Sequence, residues 1–266
     1  PSRAAKVIAM LARLRDAKVR GARIAKTGSD ALVQPCDLPR LGKAGETLSE
    51  SASKVVLKSI GIRVTTDIVV SDSKKDIFDR LTPPLVVKIV SADIPHKTEI
   101  GGVKVGIKTS EELMAAIDGV LENVRCHKPD ARIAGVLVSE MVSGGFELIA
   151  GVVNDIVFGP VIVVGSGGIH AEILKDSSCR LAPFDEITAL EMVNELKCRP
   201  ILDGARGSAA LDVPSVCKAL SALSQFAWQH RDQVQEVDIN PLFVLPDGVI
   251  AADALVVLKC DGNEAA

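Results

Sequence analysis

Apolar and polar positions along this chain alternate between stretches of helical period and stretches of extended period. Residues 1–25 carry Ala, Leu, Ile and Val at helical spacing among many Lys and Arg, which predicts one amphipathic helix. Over residues 26–47, Gly28, Pro35, Pro39, Gly42 and Gly45 interrupt any period, so a linker or irregular segment is expected there. Regular patterning begins at Leu48. A helix is predicted over 49–60, stopped by Gly61, then a strand over 62–70 and a short helix over 73–81. Residues 85–90, Leu-Val-Val-Lys-Ile-Val, read as an apolar strand interrupted by one charge. Residues 102–108 form another strand candidate, with Val103, Val105 and Ile107 alternating against Lys104, Gly106 and Lys108. Thr109 and Glu112 fit a capping box ahead of a helix bearing Leu113, Ile117, Val120, Leu121 and Val124. Strands are then predicted over 133–140, 147–153 and 161–164, and helices over 186–196 and 213–228. The closing strands are expected over 234–239, 242–245 and 249–257. This order lacks the strict strand–helix alternation of a doubly wound sheet, so the fold class is α/β in the α+β sense.

Composition narrows the possibilities. With 266 residues and 47% hydrophobic positions, the chain suffices for one large domain or two modest lobes around a buried core. A formal charge of −3, no Lys/Arg run and 3% aromatics without a Tyr argue against a nucleic-acid surface. No apolar stretch is long enough for a bilayer and no signal-peptide pattern opens the chain, so a soluble cytoplasmic protein is expected. The six cysteines include no CxxC pair, which favours reduced thiols over disulfides or a metal site.

Four places combine charge, glycine and strand context. Lys88 lies inside an apolar strand, where its ammonium must find a partner, either a phosphate or a structural carboxylate. The segment after it holds His96, a candidate for phosphate handling or acid–base work, and ends in Gly101 and Gly102, which permit close backbone approach to a ligand. Next, Glu140 ends a strand that turns through Gly144 and Gly145 and returns at Glu147; this suits either a hinge between lobes or an ordinary hairpin. Third, Gly165, Gly167 and Gly168 follow an apolar strand without matching a Walker loop or a spaced dinucleotide fingerprint. Last, alternation puts Glu236, Asp238 and Asn240 on one strand face, with Asp253 expected on the next strand but one. Oxygen ligands of this kind suit Mg²⁺, and a solvated strand face is the alternative.

In this order the segments resemble the ATP-grasp domain of NDP-forming acyl-CoA synthetases. That family includes the β subunit of ADP-forming acetyl-CoA synthetase, succinyl-CoA synthetase β chains and the ATP-grasp part of fused protein acetyltransferases. The likeness runs from about Leu48 to Leu258, through Ser49-Glu50, Lys88, His96-Lys97, Gly101-Gly102, the 165–168 glycines and Asp238-Ile239-Asn240-Pro241. Where the ADP-forming acetyl-CoA synthetases have Ser-Asp after His-Lys, this chain has Thr98-Glu99. The resemblance implies an ATP-grasp fold over 48–266, two lobes with the nucleotide between them, preceded by residues 1–47 as a helix and linker or as the remnant of a preceding domain. It further implies that Lys88, Gly101 and Gly102 attend the nucleotide phosphates and that Glu140, Val142 and Glu147 line the adenosine site. Asn240 and Asp253, with Asp238, would hold Mg²⁺, and His96 would relay a phosphoryl group. The implied reaction makes acyl-CoA, ADP and phosphate from a carboxylate, CoA and ATP, with a CoA-binding, ligase-type α subunit or domain that carries a phosphohistidine. An oligomer with that partner is therefore expected. A homologue that binds nucleotide without turnover, or a scaffold that binds none, are the competing implications.

Overall fold

Among the described residues, ten strands divide between two sheets, one of four strands and one of six, each backed by its own apolar cluster. The computed structural model describes residues 45–70, 77–91, 93, 94, 97, 100–168, 176–204 and 209–260. The helix expected over 1–25, nearly all of the 26–47 segment, and His96 lie outside those residues.

Helix α1 (Glu50–Ser59) begins at Ser49, whose hydroxyl accepts from the Ala52 amide, and stops where Gly61 takes φ 83°. Its buried Val56 and Leu57 join the core of the larger lobe. The smaller lobe follows: β1 (Asp67–Val70), α2 (Ile77–Arg80), β2 (Leu85–Val90), β3 (Val103–Ile107), α3 (Ser110–His127) and β4 (Gly135–Glu140). Its antiparallel sheet has the order β1-β4-β2-β3. One face of β2 presents Leu85, Val87 and Ile89 to Leu113, Ile117, Val120 and Val124 of α3, so the opposite face is left to Val86 and Lys88. The capping box of α3 forms as the sequence predicts.

The larger lobe then resumes with β5 (Phe146–Asp155), β6 (Gly159–Ser166), β7 (Ser177–Leu181), α4 (Glu186–Asn194), α5 (Arg199–Leu202), α6 (Val213–Gln229), β8 (Val234–Leu245), β9 (Gly248–Ala251) and β10 (Ala254–Leu258). Strand order is β10-β8-β5-β6-β7, with β9 also on β8. The small sheet, built within residues 67–140, is thus an insertion between α1 and β5 of the large lobe. α1 returns to β10 through a hydrogen bond from the Val256 amide to Ser53 Oγ, a contact that spans 203 residues. Residues before it take part too: the Gly45 amide donates to the Lys259 carbonyl and Leu48 to Val256.

Several boundaries differ from the sequence expectations, each for a packing reason. The strand expected over 62–70 shortens to β1, because Val64 bridges instead to Ala251 of the large sheet. In β3, Gly106 takes φ 77° where the register slips, which turns Val105 out to 64% exposure and breaks the expected alternation. The two strands expected over 234–245 are one, β8, continuous through a cis Asn240–Pro241 bond. The strand expected over 249–257 is two, because β9 and β10 take successive stretches of the β8 edge that β5 leaves open. The chain bends between them at Ala252 and Asp253, where the Ala252 amide donates to the Pro241 carbonyl. β7, an edge strand reading Ser-Ser-Cys-Arg-Leu, and the single turn α5 carry too little apolar periodicity to be seen in the sequence. Among the described residues no helix is long and apolar enough to cross a membrane.

Leu57 is fully buried where α1 meets the large sheet. Leu57→Ala is expected to cost about 2–5 kcal/mol, read as a lowered urea midpoint with an unchanged slope.

Candidate functional site

Strand pairing makes Lys88 a bridge between the lobes. It lies on the β2 face away from the small core, and its Nζ donates to Glu50 Oε1 at 2.9 Å, Asp253 Oδ2 at 2.9 Å and the Ala252 carbonyl at 3.2 Å. All three acceptors belong to the large lobe. Of the two kinds of partner the sequence left open, the structure displays carboxylates, and there are two of them.

Glu50 is the hub of this seam. Its side chain is 5% exposed, yet three ammonium groups reach it: Lys54 at 3.0 Å, Lys88 at 2.9 Å and Lys97 at 3.4 Å. Lys54 also binds Thr65 Oγ1 and, at 2.6 Å, Asp67 of the small lobe. Burial works to raise the Glu50 carboxyl, but Lys88, Lys54 and Lys97 outweigh it and hold the group at about 2. Burial likewise works to lower the Lys88 ammonium, and Glu50 and Asp253 overcome it, so Lys88 stays charged above the usual lysine range. Sequence reasoning gave Glu50 no role of its own. An acid in the first turn of a helix with a lysine four residues on is an ordinary surface pattern, and its other partners are 38 and 47 residues away. The unpaired charge inside β2 was the one signal that pointed toward it.

The acidic face forms as the alternation predicts. Val237 and Ile239 enter the large core, while Glu236, Asp238 and Asn240 share the opposite face of β8. Asp253 sits in the bend before β10 rather than on a strand, and since Ala254 pairs with Ile239, it comes opposite Asn240. Burial, then the charges of Glu236 and Asp253, push the Asp238 carboxyl above its ordinary range. A half-buried carboxyl beside two further acids, as Asp238 is, suits a hard cation. Among the described residues no three His, Cys, Asp or Glu side chains converge into a metal cage by themselves. The donor set fits Mg²⁺, which takes one or two carboxylates and completes its shell with phosphate oxygens and water.

Glu140 ends β4 and accepts the Thr82 amide at 2.9 Å, which lowers its carboxyl. Residues 141–145 then cross from the small sheet to the large one, so the double-glycine turn is an inter-lobe connection and not a hairpin. Val142 lies half-buried in that crossing. Gly145, at φ 78°, passes so close to β8 that a Cβ would meet the Val244 carbonyl at 2.4 Å. Glu147 follows on β5 beneath the glycine cluster: the Gly167 amide donates to its carbonyl, and a Cβ on Gly168 would lie 3.0 Å from its carboxylate. At Gly102 a Cβ would come within 2.8 Å of the Lys97 carbonyl, which accepts the Gly102 amide. The close approach that this glycine makes is therefore to the Lys97 backbone.

The family model described as an ATP-grasp domain matches residues 40–258. This chain belongs to the ATP-grasp family. Within it, the chain is 39% identical to the β subunit of ADP-forming acetate–CoA ligase I of Pyrococcus furiosus over 79% of its own length and 91% of that subunit's. Among solved structures it resembles the dinucleotide forming acetyl-coenzyme A synthetase 1 of Ca. Korarchaeum cryptofilum in complex with coenzyme A and Ca-AMPCP, with 34% identity, a TM-score of 0.77 and coverage of 80% of this chain and 94% of that one. A second form of that protein, with coenzyme A and Mg-AMPPCP and with its phosphohistidine segment pointing towards the nucleotide binding site, aligns at 32% identity and a TM-score of 0.69 over 80% of this chain and 93% of that one. The ATP-grasp chain described here is thus of the kind found in ADP-forming acyl-CoA synthetases.

The Glu50 carboxyl titrates at about 2 in the folded protein against an ordinary 4.5, so its ion pairs stabilise fully above pH 4.5 and progressively less as the pH falls toward 2. That difference is worth on the order of 3 kcal/mol. Urea midpoints measured from pH 5 down to 2 are expected to fall steeply for the parent protein and less steeply for Glu50→Gln.

Proposed function

We propose that this chain is the nucleotide-handling subunit or domain of an ADP-forming acyl-CoA synthetase, acting in the cytoplasm with a CoA-binding partner. One observation supports the reading: a small-lobe lysine, Lys88, pairs across the seam with Asp253 of the large lobe, which comes opposite Asn240 on the face of β8 that also carries Asp238. Such a seam suits a nucleoside triphosphate, whose phosphates need a fixed cation on one side and a metal on the other. Lys88 would hold the β- and γ-phosphates, and the loop closed by Gly101 and Gly102 would flank them. Asn240 and Asp253 would hold Mg²⁺, with Asp238 beside them. Bound there, the metal would offset phosphate charge during transfer. Glu140, Val142 and Glu147, at and after the crossing between lobes, would line the adenosine. His96, two residues from the end of the Ser91–Thr98 stretch that follows β2, would accept the phosphoryl group. In that step a P–O bond to ADP breaks and a P–N bond to the imidazole forms. The partner's own phosphohistidine would take the group onward to the carboxylate, giving an acyl phosphate and then, with CoA, acyl-CoA and phosphate. Together these steps balance as carboxylate, CoA and ATP giving acyl-CoA, ADP and phosphate.

Calorimetric titration with ADP and ATP tests the reading. The chain is expected to bind both in the presence of Mg²⁺. Lys88→Ala should weaken binding at least tenfold, and Asp253→Ala should abolish the gain that Mg²⁺ gives. Absence of binding up to millimolar nucleotide would overturn it. For the chemistry, γ-labelled ATP should label the parent chain and leave His96→Ala unlabelled; equal labelling of both would remove His96 from the relay.

A further inference from the structure

Glu50 has no part in the nucleotide contacts above, yet it is the most heavily paired acid of the seam. Three ammonium groups, on Lys54, Lys88 and Lys97, face three carboxylates, on Glu50, Asp67 and Asp253. The cluster is therefore balanced only while Asp253 stays in it. Of the two carboxylates on Lys88, Glu50 is buried and Asp253 is the more exposed. Glu50 sits at the start of α1, whose Val56 and Leu57 are locked in the large core, and its own carboxylate is clamped by Lys54. Asp253 lies in the bend between β9 and β10, its side chain 33% exposed, opposite Asn240.

We propose that Glu50 is the positioning residue of the nucleotide site, which keeps Lys88 in the seam while its second partner changes from Asp253 to a nucleotide phosphate. The inference rests on the nucleotide-binding reading above. In the ligand-free chain Asp253 takes the place of the phosphate's negative charge. When Asp253 turns to a metal, one ammonium charge is left unbalanced at Lys88, where a phosphate oxygen then fits. Glu50 stays bound throughout, so Lys88 changes partner without leaving its place.

Calorimetry of ADP binding in EDTA and in Mg²⁺ tests this on the full chain. Glu50→Gln is expected to weaken ADP binding tenfold or more under both conditions, because Lys88 then loses the carboxylate that holds it in the seam whichever way Asp253 turns. Simple electrostatics predicts the opposite, since removing a negative charge should tighten the hold on an anion. Unchanged or tighter binding by Glu50→Gln would overturn the proposal. Asp253→Asn, which frees Lys88 from its stand-in, is expected to bind ADP in EDTA at least threefold more tightly than the parent; weaker binding would overturn it equally. Glu50→Asp keeps the charge but withdraws it by one methylene, and should give an intermediate loss that can be read even if Glu50→Gln does not fold. If the parent chain binds no nucleotide in either condition, the nucleotide reading fails and this proposal with it. If the parent binds and the variants depart from these expectations, the proposal alone fails.

Discussion

A carboxylate buried among three ammonium groups is costly to desolvate and costly to leave unpaired, so the structure around Glu50 has little freedom to vary. α1 must bring it to the seam, β2 must aim Lys88 at it, and the loop after β2 must fold back far enough for Lys97 to reach it. Removing Glu50 would leave Lys54 and Lys88, both largely buried, short of a partner. This ion cluster is also where the small lobe is tied electrostatically to the large one, through Lys54–Asp67, Lys88–Glu50, Lys88–Asp253 and Lys97–Glu50. The angle between lobes is therefore bound up with the charge state of the site they enclose.

The two sheets serve this seam in different ways. The small sheet spends one face on α3 and offers the other, with Lys88, to the cleft. The large sheet spends one face on its helices and offers Glu236, Asp238 and Asn240 on the other. Neither sheet alone brings opposite charges together. The crossing at Gly144 and Gly145, with φ 78° at both and no room for a Cβ at the second, carries the chain from the small sheet to the large one beside β8.

Much of this was legible in the sequence. Elements with a strong apolar period, such as α3, β2 and α6, appear close to their predicted limits, and the capping box of α3 forms between the two residues that announced it. The alternation of Glu236, Asp238 and Asn240 fixed their common face, because the buried residues between them left no other choice. What local patterning could not supply was long-range pairing. It split β8 at Pro241, fused β9 with β10, and missed β7, whose place depends on a neighbour instead of its own side chains. Glu50 escaped for the same reason: its meaning lies in Lys88 and Lys97, which only the folded chain brings near. His96, Gly101, Gly102, Glu140, Val142 and Glu147 owe their proposed roles to family resemblance.

The insertion of one lobe within the other has a consequence for how the chain is made. All strands of the small sheet lie within residues 67–140, so once that stretch has left the ribosome the sheet can close on its own helix. The large lobe cannot. Its first helix waits for β10, and the hydrogen bond between Ser53 and Val256 closes a loop of 203 residues. During synthesis α1 waits undocked from β10 until residues 254–258 have emerged. Glu50 rides on that waiting helix, so the seam is assembled last, after the lobe that supplies Lys88 has already folded.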